Sequence, residues 1–127
     1  MPGKHLFEYA VIRIVPRVER EEFLNAGVIL YCKDKKFLQC LTNIDKEKLR
    51  VLCSEIDCNE VDEHLQSFER ICKGEKGGGP IAALDLPSRF RWLTATRSTI
   101  VQSSKVHPGL CDDPEKTLQK LHEQLVL

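Results

Sequence analysis

The 127-residue sequence lacks a net charge, a long apolar run and a local catalytic signature. Lys plus Arg and Asp plus Glu number 19 each, so the formal net charge is zero. A dedicated nucleic-acid coat carries an overall basic excess, so strong binding to DNA or RNA at physiological salt is not expected. No apolar stretch approaches the roughly 20 residues that span a bilayer. The N-terminal MPGKHLFEYAVIRIVPR is interrupted by Glu8 and Arg13, and no small-residue cleavage site follows it. It reads as a strand and not as a secretory leader. The expectation is a cytoplasmic protein with no membrane contact.

Gly-x-Ser-x-Gly and His-Glu-x-x-His are also absent. GEKGGGP (74–80) runs into Pro80 instead of Gly-Lys-Ser/Thr opening a helix, which makes it a flexible joint and not a phosphate loop. The six cysteines, at 32, 40, 53, 58, 72 and 111, contain no Cys-x-x-Cys, and the four histidines show no zinc-ligand rhythm among them. Most of the cysteines replace an apolar residue in a periodic pattern, as free thiols of a reduced core do. No metal and no cofactor are implied. Cys111, near His107 and ahead of a helix start, has the one setting that could activate a thiol; the plainer reading is a half-buried loop cysteine.

What is present has clear periodicity. LFEYAVIRIV (6–15) is rich in β-branched and aromatic residues and stops at Pro16. NAGVILYC (25–32) is a nearly unbroken apolar run, the mark of a strand covered on both faces. After the charged turn KDKK, FLQCLT (37–42) returns as a third strand. With Asp34-Lys35 at the turn centre, Cys32 lies beside Phe37 and Cys40 opposite Ile29, which points the two thiols to opposite sides. Two helices follow, one capped by Asp45 and carrying Leu49, Leu52, Cys53 and Ile56. The other is capped by Asn59, carries Val61, Leu65, Phe68 and Cys72, and ends at Gly74. His64 sits just off that stripe and reads as a solvent-facing or structural histidine. LPSRFRWL fits either a helical turn capped by Ser88, which is favoured, or a strand. STIVQ (98–102) reads as a short strand, and Asp113-Pro114 opens a final helix with Leu118, Leu121 and Leu125 on its buried stripe. The order β-β-β-α-α-turn-β-α predicts a single α+β domain over 1–127, an antiparallel sheet of three to four strands packed against helices, with the joint 74–80 inside it.

RFRWLTATRST (89–99) gathers three arginines with no acid. Arg13 lies on the side of its strand that bears Tyr9 and Val11, and a partly buried guanidinium needs a carboxylate, a carbonyl or a bound anion. Two readings stay open. Internal salt bridges to Glu8, Glu19, Glu21, Glu22 or Asp85 would make the basic set structural. Alternatively, Arg13, Arg97, Ser98, Thr99 and His107 form an anion-binding recess, with Phe90 and Trp92 in the core beneath it.

YAVIRIVPRVEREEFLNAGVILYC, RFRWLTATRSTIVQ and VHPGLCDDPEKTLQKL together resemble a mainly bacterial family catalogued as domain of unknown function 3037 (DUF3037). The pattern maps onto Arg13, Phe23, Asn25, Gly27, Arg97, Ser98, Thr99, Gln102, His107, Pro108 and Gly109, and Thr96 stands where relatives often have proline. The resemblance implies no activity. It suggests an accessory protein for a HipA-like kinase, since relatives are often encoded beside one. The expected function is a non-enzymatic binding or regulatory module; the alternative is a phosphate-binding or other anionic-ligand protein, or an enzyme, using an Arg-rich recess.

Overall fold

A computed structural model describes residues 4–95 and 99–127. Strand β1 (His5–Ile14) is the centre of an antiparallel sheet. β2 (Leu24–Cys32) pairs with one of its edges and β3 (Phe37–Thr42) pairs in turn with β2. The other edge of β1 is shared by β4 (Val101–Ser103), opposite residues 12–14, and β5 (His107–Cys111), opposite residues 5–9. Between these two, buried Ser104 bridges the gap: the Val11 amide donates to its Oγ at 2.8 Å, and its own amide donates to the Val11 carbonyl at 2.9 Å. The antiparallel α+β class is as the sequence implies, with one strand more than expected.

That fifth strand, HPGLC, reads in the sequence as a lead-in to the last helix. Proline lacks an amide and glycine lacks a side chain, so its strand propensity is poor. It stands at an edge, where proline is tolerated. Gly109 faces Phe7, and a Cβ there would lie 2.5 Å from the Phe7 Cζ, so the missing side chain makes room for the ring.

The sheet separates two cores. Ala10, Ile12 and Ile14 face the larger one, with Leu65, Phe68, Phe90 and Leu93. Phe7, Val28, Leu30, Cys32, Cys111 and Leu118 form the second. β2 contributes to both, which explains its continuous apolar run. The helices α1 (Lys46–Leu52), α2 (Cys58–Lys73) and α3 (Leu86–Thr94) supply Leu49, Leu65 and Phe90 to the larger core, while α4 (Pro114–Leu125) covers the other face.

Asp45 and Asp113 cap α1 and α4 as expected. Two other caps differ. α2 is capped two residues earlier, by Asp57, whose Oδ1 accepts from the Asn59 and Glu60 amides at 2.9 and 3.3 Å. The favoured helical turn is α3, but Asp85 and not Ser88 caps it, and hydrogen bonds from Ser88 hold the Asp85 carboxyl below its ordinary value. Gly74 ends α2 in the left-handed region at φ 71°, and the joint beyond it contains two short 3-10 turns, Lys76–Gly78 and Pro80–Ala83.

The hairpin register places Cys32 beside Phe37 and Cys40 opposite Ile29, on opposite faces. Cys32, Cys72 and Cys111 are buried, and the other three are partly so. A hydrogen bond with Cys72, together with burial, pushes the Cys40 thiol far up from its ordinary value. No helix among the described residues is long and apolar enough to cross a membrane.

Candidate functional site

Arg13 lies between Ile12 and Ile14, both fully buried in the larger core, so its side chain leaves β1 on the opposite face. Phe23 contacts it there, and Asn25 and Gln102 are its register partners on the two neighbouring strands. Its guanidinium carbon stands 4.1 Å from the centroid of the Phe23 ring, which is 45% exposed and presents its π face to the cation. Asn25 is its partner on β2, reached through a bulge between Ile12 and Arg13, and Gln102 is its partner on β4. The Asn25 Nδ2 donates to the Leu125 carbonyl at 3.0 Å and ties the sheet to the last turn of α4.

The electrostatics of this cluster are unbalanced. The described ion pairs engage Lys4, His5, Arg17, Arg20, Lys46 and His64, and none involves Arg13. Three of the five nominated internal acids lie elsewhere: Glu22 pairs with Arg20, Asp85 caps α3, and Glu8 borders a separate cavity with Tyr31 and Arg91. Two buried polar atoms on facing residues, the Arg13 Nε and the Asn25 Oδ1, have no hydrogen-bond partner among the described residues. Buried polar atoms are almost always satisfied. The first is a donor within the guanidinium and the second an acceptor on the facing residue, and the described residues satisfy neither.

The expected recess residues do not share one compact pocket. Arg97 and Ser98 lie outside the described residues. Thr99 is exposed, and its hydroxyl donates to the Val101 carbonyl at 2.7 Å. It reaches the Arg13 cluster only through Gln102, whose Nε2 donates to the Thr99 carbonyl at 2.8 Å. His107 is exposed opposite Tyr9, with ring centroids 5.3 Å apart. Tyr9 and Arg13 are four residues apart on one strand face, about 13 Å, so His107 stands further along the same strip. Phe23, Asn25 and Gln102 complete the cluster. Their signal in the sequence is that they belong with Arg13 to the pattern through which the chain resembles its family.

Cys111 follows its plainer reading as an unactivated thiol, but it is buried in β5 instead of half-buried in a loop, and loss of water pushes its pKa up. One further expectation changes. Phe90 belongs to the core, 5.4 Å from Tyr31 between centroids, but Trp92 does not. It is 38% exposed and lines a groove between α2, α3 and β4. Helical spacing explains this, since Phe90 and Leu93 share the inward face of α3 and Trp92 is turned from it.

The Arg13 cluster offers a planar fork of donors held on an aromatic ring, with carboxamides on either side. That chemistry suits recognition of a carboxylate or phosphate. The family model described as protein of unknown function (DUF3037) matches residues 9–126. Neither a curated protein nor a solved structure shows significant similarity to the chain.

Proposed function

The chain belongs to the DUF3037 family, and because that description names no activity we propose from the geometry that it is a non-enzymatic binding module that receives an anionic group on Arg13. The observation that carries this reading is a guanidinium seated on Phe23 that enters no ion pair among the described residues. Asn25 and Gln102 flank the cation and supply neutral polar atoms. The anion is a carboxylate or phosphate presented by a protein partner, for which the resemblance suggests a HipA-like kinase in a bacterial cytoplasm.

The test is thermal unfolding in sulfate or phosphate against chloride at matched ionic strength. A ligand bound to the folded state alone at tenfold its Kd adds about 1.4 kcal/mol, so the wild type should melt several degrees higher with either anion. Arg13→Gln should lose this protection, and Arg13→Lys, which keeps the charge without the fork, should retain only part of it. A wild type that gains nothing from either anion, or an Arg13→Gln variant that gains as much, overturns the proposal.

A further inference from the structure

We propose that the free edge of β3 is an interface between two copies of this chain, which pair antiparallel along that strand and continue the sheet from one copy into the other. The sheet has two edges. On one, β4 has three residues, β5 carries Pro108 with no amide to donate, and Ser104 lies between them. On the other stands β3, six residues in unbroken register with β2. Its sequence FLQCLT contains none of the devices that blunt an exposed edge, neither proline nor a charge nor a bulge.

Pairing with β2 fixes which backbone groups of β3 face outward. The Asn43 amide donates to the Ala26 carbonyl, and the Leu41 carbonyl lies against Gly27. Hydrogen-bonded residues alternate along an antiparallel ladder. Phe37, Gln39 and Leu41 therefore turn their amides and carbonyls toward β2, and Leu38, Cys40 and Thr42 turn theirs outward. Among the described residues nothing bonds to this outward set. An added strand finds a donor and an acceptor there at every second residue. When that strand is β3 of a second copy, one register satisfies the whole set: Cys40 opposite the partner's Cys40, and Leu38 opposite the partner's Thr42 in both directions. Each such pair exchanges two hydrogen bonds, and the two-fold axis passes between the two copies of Cys40.

The charges beside this edge select a second copy over an unrelated strand. α2 crosses the larger-core face of β3 in the opposite sense: the Thr42 hydroxyl donates to Glu69, and nearly one turn further on Cys72 is hydrogen-bonded with the Cys40 thiol. Lys73 follows, and its charge, like that of Glu69, reaches the same thiol. Along the edge the acid therefore stands at the Thr42 end and the base toward the Leu38 end. Neither enters an ion pair among the described residues. Rotation about the axis at Cys40 reverses this order and brings Glu69 of each copy beside Lys73 of the other. Opposite charges repeated by the symmetry give the self-complementarity that an isologous interface requires.

The Arg13 cluster takes no part in this interface. β2 separates β1 from β3, and the Arg13 side chain leaves the sheet on the face opposite the larger core, to which α2 belongs. Two short strands bring together less surface than the roughly 1,200–2,000 Å² of a standard stable complex. The association is accordingly weak, with a dissociation constant of about 1–100 µM.

The experiment reads mass and amide exchange on the full chain. Sedimentation equilibrium from about 1 to about 500 µM should show the mass of one chain giving way to that of two. Hydrogen exchange followed by NMR over the same range should show the Leu38, Cys40 and Thr42 amides becoming protected as the dimer forms. The Phe37, Gln39 and Leu41 amides, bonded to β2, should be protected throughout. Lys73→Glu, at an exposed position at the end of α2, replaces two opposite-charge pairs by two like-charge ones and should weaken association about fivefold or more. Adding Glu69→Lys restores the opposite charges in exchanged order and should recover most of that loss, a rescue that damage to the fold does not produce. Arg13→Gln should leave the dimer intact while losing the sulfate effect, so this proposal and the anion reading can fail independently. A chain that stays monomeric at about 500 µM overturns the proposal and leaves the edge to a strand of another protein. So does a dimer whose Leu38, Cys40 and Thr42 amides exchange as fast as those of the monomer, or a double variant that associates no better than Lys73→Glu.

Discussion

An alanine at Gly27 would set its Cβ 2.4 Å from the Leu41 carbonyl oxygen, 3.1 Å from the Thr42 Cγ2 and 3.2 Å from the Ile12 Cδ1. Carbon–oxygen contacts between neighbouring strands normally fall at about 3.3–3.6 Å, so β2 and β3 would have to part by about 1 Å. The obstructing atom is backbone in a paired strand, and no rotamer change can remove it. Next to it the Asn43 amide donates to the Ala26 carbonyl at 2.6 Å, and this bond would lengthen first. One ladder hydrogen bond is worth about 1 kcal/mol and overpacking of this kind about 1–3 kcal/mol. Gly27→Ala should therefore lose about 2–4 kcal/mol out of a total stability of order 5–15 kcal/mol. Urea unfolding followed by circular dichroism measures this as a fall in midpoint of about 1–3 M at an unchanged m value. Gly77→Ala is the control, because its Cβ would meet nothing nearer than the Arg70 Cδ at 3.8 Å; it should stay within about 0.5 kcal/mol of wild type. If Gly27→Ala also stays within that margin, the close approach of the strands is not what requires glycine there.

Two more outcomes follow from local features. His122 is buried in α4, and loss of water holds its pKa below the ordinary 6.5. Between the lowered folded value and 6.5 the unfolded chain binds more protons than the folded one, so stability should fall as pH drops below 6.5, by at most about 1.4 kcal/mol per pH unit. Urea midpoints measured from pH 7.5 to 5 should show this slope in the wild type and a shallower one in His122→Leu; equal slopes would assign the effect to other groups. Asp57→Ala removes the acceptor for two amides at the start of α2 and should cost about 1 kcal/mol. Asn59→Ala should cost only a few tenths of that, and the reverse order in chemical denaturation would return the cap to Asn59.

Part of this molecule is legible within short stretches of chain. The β2–β3 hairpin has the register that its charged turn and alternating residues imply, because a two-residue period leaves one arrangement that buries both apolar sets. α1 and α4 start at Asp45 and Asp113, where a side-chain oxygen satisfies amides two and three residues on. The resemblance to DUF3037 likewise holds over nearly the whole chain.

Other features are decided by residues distant in sequence. β5 is a strand because β1 offers it an unpaired edge and Phe7 fills the space above Gly109; its own Pro and Gly favour a turn. Arg13 could have met any of several acids, but Glu22 and Asp85 are engaged elsewhere, and the strand pairings surround it with Phe23, Asn25 and Gln102. Trp92 becomes a groove wall only when α2 and β4 stand opposite α3. Periodicity and caps act through bonds between near neighbours in the chain, so the sequence by itself determined the hairpin register and the starts of α1 and α4. Which acid pairs with which base, and which aromatic ring is left partly exposed, depends on side chains brought from distant segments, and that only the tertiary structure decided.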